Sequence, residues 1–131
     1  LDDLLAPTRI YVKAVRRLLE DVDVRGIVHI TGGGFFENIP RVFTNPEHGA
    51  LINLDSWHQA EVFSWLQRAG NISDTEMMST FNCGLGMLLI VAEADVEVAL
   101  RTLTEHGEQP VKVGEVVEGE VAASAEQILF R

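Results

Sequence analysis

The chain has 131 residues and a mass of 14.5 kDa, a length that fits one domain and leaves little room for two. Apolar residues make up 47% of the chain and charged residues 23%, which predicts a folded globule and excludes a disordered chain. The formal net charge of −10 argues against nucleic acid and anionic membranes as partners, because both are bound through clustered cations.

The number of cysteines and the length of the apolar runs indicate the cellular compartment of the protein. The single cysteine, Cys83, rules out an internal disulfide and lacks the companions that a structural zinc site needs, so we expect a reducing, cytoplasmic compartment. Apolar runs such as residues 87–92 fall far short of the roughly 20 residues of a membrane-spanning helix, and no secretory signal is recognisable. Because the chain begins at Leu1 without a methionine, we expect a piece of a longer protein.

The first half of the chain alternates helix and strand patterns. Apolar residues at helical spacing predict a helix over residues 11–22. Residues 26–30 are β-branched and apolar, and predict a buried strand that runs into three glycines. A short helix is expected over residues 35–43, although Pro40 fits poorly inside it. A second strand follows over residues 50–54.

The next two predicted helices are defined by their end signals. Apolar spacing predicts a helix through residues 62–69, with Gly70 and Asn71 ending it in a left-handed conformation. Ser73 and Glu76 have the capping-box spacing, so another helix is expected to begin there and to end near Phe81.

The last part of the chain predicts one buried strand, one helix and two weaker strands. The apolar run at residues 87–92 predicts a central strand covered on both faces. A helix over residues 96–103 is expected to close at Gly107, and residues 111–117 and 121–130 are read as strands. Together the elements predict a single α+β domain over residues 1–131, an α/β/α layered sandwich with a mixed sheet.

Most of the candidate ligand-binding residues lie in the segment HITGGGFFENIPRVF, residues 29–43. Consecutive glycines lose much backbone entropy on folding, so this loop is expected to need a main chain without side chains. Phosphate is the leading candidate ligand, because amides at a helix start are unpaired and electropositive. Thr31 would add a hydroxyl and Arg41 a planar guanidinium. The alternative is a tight turn, with Arg41 paired to Glu37 one helical turn earlier.

Other candidates also have two interpretations each. His29 is either a core histidine or a general base beside the anion site. Arg9 opposes the dipole at a helix start, so it is either solvated or directed at a ligand. The glycines within residues 80–87 mark either a bulge or tight crossing, or the close approach of a ligand. Cys83 is not expected to be a nucleophile, because nothing near it in the sequence would lower its pKa.

Three strings resemble one family. LLAPTRIYVK at residues 4–13, HITGGGFFENIPRVF at residues 29–43 and EMMSTFNCGLGM at residues 76–87 closely resemble the C-terminal domain of phosphoribosylformylglycinamidine cyclo-ligases, also called aminoimidazole ribonucleotide synthetases. The resemblance runs from Leu5 to about Gly119. Three motifs in the same order are specific, whereas a lone triple glycine would not be.

The resemblance implies an ATP-dependent ring closure in purine biosynthesis. Formylglycinamidine ribonucleotide is phosphorylated on its amide oxygen and cyclises to aminoimidazole ribonucleotide, with Mg²⁺ required. It also implies a homodimer whose N-terminal domain, missing from this sequence, binds most of the ATP and metal. The C-terminal half would close over the active-site cleft and be inactive alone, with a three-layer α/β/α fold of partly ferredoxin-like character.

The resemblance also implies the site residues. Phosphate or substrate binding falls on the glycine loop and the helix after it: Thr31, Gly32, Gly33, Gly34, Asn38 and Arg41. The supporting positions are Thr8, Arg9, Asn82, Gly84 and Gly86, and Glu37 is a further motif position. His29 is a catalytic candidate expected to hydrogen-bond the groups that hold the ligand, and no metal ligand is expected in this half. The alternatives are a sister enzyme, such as a formylglycinamidine ribonucleotide synthetase or a selenide water dikinase, and a non-catalytic anion-binding module.

Overall fold

A computed structural model describes residues 5, 7–119 and 127–131 and places helices and strands close to the predicted order. The helices are α1 (Val12–Asp21), α2 (Gly34–Asn38), α3 (Glu61–Gly70), α4 (Asp74–Thr80) and α5 (Val96–Glu105). The strands are β1 (Gly26–His29), β2 (His48–Ile52), β3 (Met87–Ile90), β4 (Gly114–Glu118) and β5 (Ile128–Phe130). Short 3₁₀ turns occur at Pro40–Val42, Leu54–Ser56 and Glu93–Asp95.

The strands form two sheets. β1 and β3 pair antiparallel, with His29 opposite Met87. β2 is the middle strand of a three-stranded mixed sheet, antiparallel to β4 and parallel to β5. Helices combined with mixed and antiparallel sheets confirm the predicted α+β class. β4 begins three residues later than predicted, and residues 121–126 of the last predicted strand lie outside the described part of the chain.

The position predicted for the apolar strand at residues 87–92 is wrong. β3 covers only Met87–Ile90 and pairs with β1 alone among the described strands, so it is not central. Its apolar run has another cause, which is that two hydrophobic clusters lie on its opposite faces. Leu88 packs against a large cluster around Phe35, and Leu89 against a smaller one around Leu18. Successive strand residues point to opposite faces, so both faces need apolar side chains.

Local end signals act as the sequence predicts, with one helix shortened. Asn71 ends α3 with φ 50°, and the hydroxyl of Ser73 accepts a hydrogen bond of 3.2 Å from the amide of Glu76 at the start of α4. Gly107 follows α5 with φ +84°. The helix expected over residues 35–43 instead ends at Asn38, and Pro40 begins a separate 3₁₀ turn. Proline lacks the amide and clashes with the preceding helical turn.

The face expected to be buried on α3 is not enclosed. None of its residues is fully buried, and Trp65 is 54% exposed. The ring of Phe63 packs edge-on against that of Phe81, with centroids 6.3 Å apart. Helical spacing therefore identified the helix but not the depth to which its apolar face is covered.

The large cluster positions the glycine-rich segment. Phe35 is completely buried, stacks on Trp57 at 6.1 Å between ring centroids and meets Phe130 edge-on at 5.8 Å. Ile30 before the loop and Ile39 after it are also buried in this cluster. Both sides of the glycine loop are thus anchored in the core, which holds the loop between them at the surface.

Candidate functional site

The glycine loop is a tight turn between β1 and α2. The carbonyl oxygen of Thr31 accepts a 3.0 Å hydrogen bond from the amide of Gly34, which closes the turn. Gly33 has φ +89° and Gly34 has φ +54°, conformations that favour glycine. The predicted tight turn is therefore present, and it consumes the amide of Gly34.

The three glycines are required for different reasons. A methyl group on Gly34 would overlap the backbone carbonyl oxygen of Met78, and one on Gly33 would overlap the carboxylate of Glu37. Gly32 has no left-handed φ, and a methyl group there would meet no atom within 4 Å. The fold thus requires glycine at positions 33 and 34 but leaves open space beside Gly32.

The open side of the loop presents unused donors. Among the described residues, no acceptor takes a hydrogen bond from the amides of Gly32 or Gly33. Thr31 and Gly32 are exposed to solvent, whereas Gly34 is buried. The two amides lie next to the solvent-exposed Thr31, and backbone donors of this kind suit an anion.

Asn38 holds the loop from within. It is only 5% exposed, and its amide nitrogen donates to the carbonyl oxygen of Gly34 at 2.7 Å and to that of Gly32 at 3.3 Å. Its side-chain oxygen accepts a hydrogen bond from Arg41 at 3.3 Å. These contacts occupy both ends of the amide, so Asn38 fixes the shape of the loop.

Arg41 extends from the 3₁₀ turn behind the loop. One terminal nitrogen lies 3.6 Å from a carboxylate oxygen of Glu37, and both side chains are mostly exposed. This is the pairing expected under the structural interpretation of the motif. An exposed ion pair contributes little stability, so the guanidinium can exchange Glu37 for a ligand anion at small cost.

A shallow depression beside the loop joins several predicted residues. Its volume is about 290 Å³, and it is lined by Ile27, Val28, His29, Asn38, Arg41 and Val42. His29 is exposed on β1, so the interpretation as a core histidine is wrong. The lining of the depression is of mixed polar and apolar character and includes an imidazole and a guanidinium, groups that suit a small anionic molecule.

The segment before β3 forms a second loop. The side-chain oxygen of Asn82 accepts a 3.0 Å hydrogen bond from the amide of Gly84, and Gly84 has φ +97°. Trp57 donates from its indole nitrogen to the carbonyl oxygen of Cys83 at 2.9 Å. Asn82 and Gly84 thus have a local structural use, and Trp57 was not singled out because its contact joins distant parts of the chain.

Gly86 at the end of that segment is adjacent to Tyr11. A methyl group on Gly86 would overlap the hydroxyl oxygen of Tyr11, whose ring also lies 6.2 Å from that of His29. The apolar spacing over residues 11–22 places Tyr11 on the apolar face of a helix and does not indicate this contact. Its place within the LLAPTRIYVK string was the available signal for a role near the site.

Thr8 and Arg9 are exposed, and Arg9 is directed elsewhere. Its guanidinium forms a 2.8 Å ion pair with Glu108, which follows α5. The structure therefore gives Arg9 a partner outside the glycine loop. Neither residue belongs to the lining of the depression.

Cys83 lies in the core. It is fully buried, and burial raises the pKa of its thiol from 9.0 to about 11. The thiolate, which is the nucleophilic form, is therefore disfavoured at neutral pH. This agrees with the expectation that Cys83 is not a nucleophile.

The described ranges hold neither a cluster of metal-ligating side chains nor a membrane-spanning helix. Within residues 5, 7–119 and 127–131, no three His, Cys, Asp or Glu side chains come together as a metal site. None of the helices in that part of the chain has the length and apolar character that a membrane crossing needs.

Comparison with known protein families gives a match that covers most of the chain. Residues 1–125 match the family described as AIR synthase related protein, C-terminal domain. The match includes the glycine loop, the segment before β3 and the stretch that carries Tyr11.

Proposed function

The chain belongs to the family of AIR synthase related C-terminal domains, and from this premise we propose that it is the C-terminal domain of a phosphoribosylformylglycinamidine cyclo-ligase. In this proposal the substrate is formylglycinamidine ribonucleotide and the product is aminoimidazole ribonucleotide. The strings ENIPR and FNCGLGM favour this enzyme over its sister enzymes. The partners are an N-terminal domain of the same enzyme and, through it, a second protomer in the cytoplasm.

Gly32 is the observation that carries the proposal of a phosphate site. The fold has room for a side chain at this position, and the backbone conformation does not demand glycine. With no side chain at position 32, a ligand can approach the amides of Gly32 and Gly33, which donate to no backbone acceptor in the described part of the chain. A phosphate group needs this kind of close approach to backbone donors.

In this proposal each group around the loop has a stated role in binding the ligand. The amides of Gly32 and Gly33 and the hydroxyl of Thr31 bind the phosphate, while Asn38 keeps the loop carbonyls turned inward. Arg41 leaves Glu37 and pairs with the same anion. The non-phosphate part of the ligand lies in the depression along Ile27 and His29. Positioning of this kind is the main contribution that a domain makes to a ring closure between two parts of one substrate.

ATP and Mg²⁺ are assigned to the N-terminal domain. When bound, they supply the phosphoryl group that activates the amide oxygen of the substrate. The loop itself fits the phosphate of either the ribonucleotide or the nucleotide.

The test compares the complete protein with its Gly32→Ala variant. Calorimetric titration with formylglycinamidine ribonucleotide, and separately with ADP, identifies which phosphate the loop binds. The added methyl group should weaken binding of that ligand about tenfold or more, as expected for one lost charge-assisted hydrogen bond. Release of ADP that depends on formylglycinamidine ribonucleotide measures the reaction in parallel.

Ser64→Ala serves as the control, because Ser64 is an exposed residue on α3 and lies outside the site. Its affinity and its rate of ADP release should equal those of the wild type. If Gly32→Ala binds both ligands as tightly as the wild type, the loop is not the phosphate site. If the wild type releases no ADP with this ribonucleotide, the cyclo-ligase assignment is wrong.

A further inference from the structure

Tyr11 contacts two segments that flank the proposed site. It precedes α1, is half-buried, and directs its ring edge-on to the imidazole of His29, with 73° between the ring planes. His29 is the last residue of β1, and only Ile30 separates it from the glycine loop. The contact therefore involves a side chain that lines the depression.

The hydroxyl group of Tyr11 explains the glycine at position 86. Gly86 does not have a left-handed φ, so its backbone conformation is open to other residues. A methyl group there would nevertheless overlap the hydroxyl oxygen of Tyr11, while the next ring atom, Cζ, would be 3.1 Å away. The carbonyl oxygen of Gly86 accepts a 2.9 Å hydrogen bond from the amide of Ile30. Tyr11 is thus packed against the residue that fixes the start of the glycine loop.

We propose that Tyr11 is a positioning residue of the ligand site: its ring, packed against Gly86, holds the imidazole of His29 against the depression. This inference rests on the proposed function, because it assigns His29 to the substrate bound there. An exposed histidine on a strand can adopt several rotamers, and an aromatic neighbour restricts them. Tyr11 itself needs no contact with the substrate.

The proposal is tested by steady-state kinetics of the complete protein with formylglycinamidine ribonucleotide. Tyr11→Leu removes the ring and should raise KM about 3- to 10-fold, the range that corresponds to losing one aromatic contact. Tyr11→Phe keeps the ring and should restore KM to within about twofold of the wild type. A Tyr11→Leu change made together with His29→Ala should raise KM no further than His29→Ala alone, because Tyr11 acts through His29.

A second pair of variants tests the packing of Tyr11 against Gly86. Gly86→Ala should raise KM as Tyr11→Leu does, since the methyl group displaces the tyrosine ring. Combining Gly86→Ala with Tyr11→Phe removes the overlapping oxygen and should recover KM. The imidazole resonance of His29, followed by NMR of histidine-labelled protein, should move in Tyr11→Leu and Gly86→Ala and return in the combined variant. A loss of stability alone would leave KM unchanged in protein that is still folded.

The outcomes separate this inference from the proposed function. If the wild type turns over the ribonucleotide and Tyr11→Leu has the wild-type KM, the positioning role is wrong and the function stands. If Tyr11→Leu raises KM equally with and without His29, Tyr11 does not act through His29 and the inference is overturned. If the wild type shows no activity with the ribonucleotide, both are overturned.

Discussion

The side-chain nitrogen of Asn38 lies 2.7 Å from the carbonyl oxygen of Gly34 and 3.3 Å from that of Gly32, so one buried amide determines the shape of the glycine loop. The carbonyl groups are turned inward toward Asn38, and the amides of Gly32 and Gly33 remain available on the open side. A buried donor that serves two acceptors is difficult to replace, because any substitute must also donate.

Asn38→Asp should therefore destabilise the protein. The carboxylate has nearly the same shape but places an oxygen opposite carbonyl oxygens in a buried position. We expect the free energy of unfolding to fall by about 2–4 kcal/mol, measured by urea denaturation at pH 7. Asn45→Asp is the matched control, because Asn45 only accepts a hydrogen bond from the amide of Glu47 and a carboxylate can do the same. Equal stability losses in the two variants would contradict the donor role of Asn38.

Alanine substitutions at Gly34 and Gly32 should differ in their effect on the stability of the protein. Gly34→Ala would drive a methyl group into the carbonyl oxygen of Met78 and hold alanine at φ +54°, so we expect a loss of about 3 kcal/mol or more. Gly32→Ala meets no atom and should change stability by less than about 0.5 kcal/mol. Thermal unfolding of both variants checks this order, and a large loss for Gly32→Ala would show that the space beside it is not open.

Arg41→Ala should impair function with little effect on stability. The ion pair with Glu37 is exposed and the hydrogen bond to the side-chain oxygen of Asn38 is 3.3 Å long, so their joint loss should lower the free energy of unfolding by about 1 kcal/mol. Removal of a guanidinium from the substrate anion should lower kcat/KM about 10- to 100-fold. Arg17→Ala is the control, because Arg17 also forms an exposed ion pair, at 3.1 Å with Asp21, on a different helix. An unchanged kcat/KM for Arg41→Ala would remove Arg41 from the site.

Cys83 should make the protein less stable at alkaline pH. Its thiol has a pKa of about 11 in the folded protein and 9.0 as its ordinary value, so the unfolded chain loses this proton first as the pH rises. Between these values the folded state binds more protons, and the free energy of unfolding therefore decreases with pH by about 1–3 kcal/mol. Below pH 9 the contribution is fully present.

Denaturation of the wild type and of Cys83→Ser over this pH range measures the effect. The difference between the two proteins removes the contributions of lysine and tyrosine side chains common to both. The stability of Cys83→Ser relative to the wild type should rise as the pH passes from 9.0 toward 11. A constant difference would mean that the Cys83 thiol ionises equally easily in both states.

Local chemistry made several elements predictable. The left-handed Asn71 and the hydroxyl cap at Ser73 act within one or two turns of chain, so their effect can be read from neighbouring residues. The helix predicted over residues 35–43 was too long, because the effect of Pro40 was underestimated. The glycine loop was likewise recognisable as a turn before a helix. The predicted pairing of Arg41 with Glu37 is present for the same reason, since residues four apart on a helix are neighbours.

Contacts between distant segments were decided by the tertiary structure alone. The sequence by itself determined the α+β class, the helix ends and the place of the glycine loop, because periodicity and capping depend on nearby residues. Only the fold determined that Met78 crowds Gly34 while Gly32 is open, that Tyr11 rests on Gly86, and that Arg9 pairs with Glu108. These relationships depend on which side chains meet after the helices and sheets pack together, and no local pattern encodes that steric outcome.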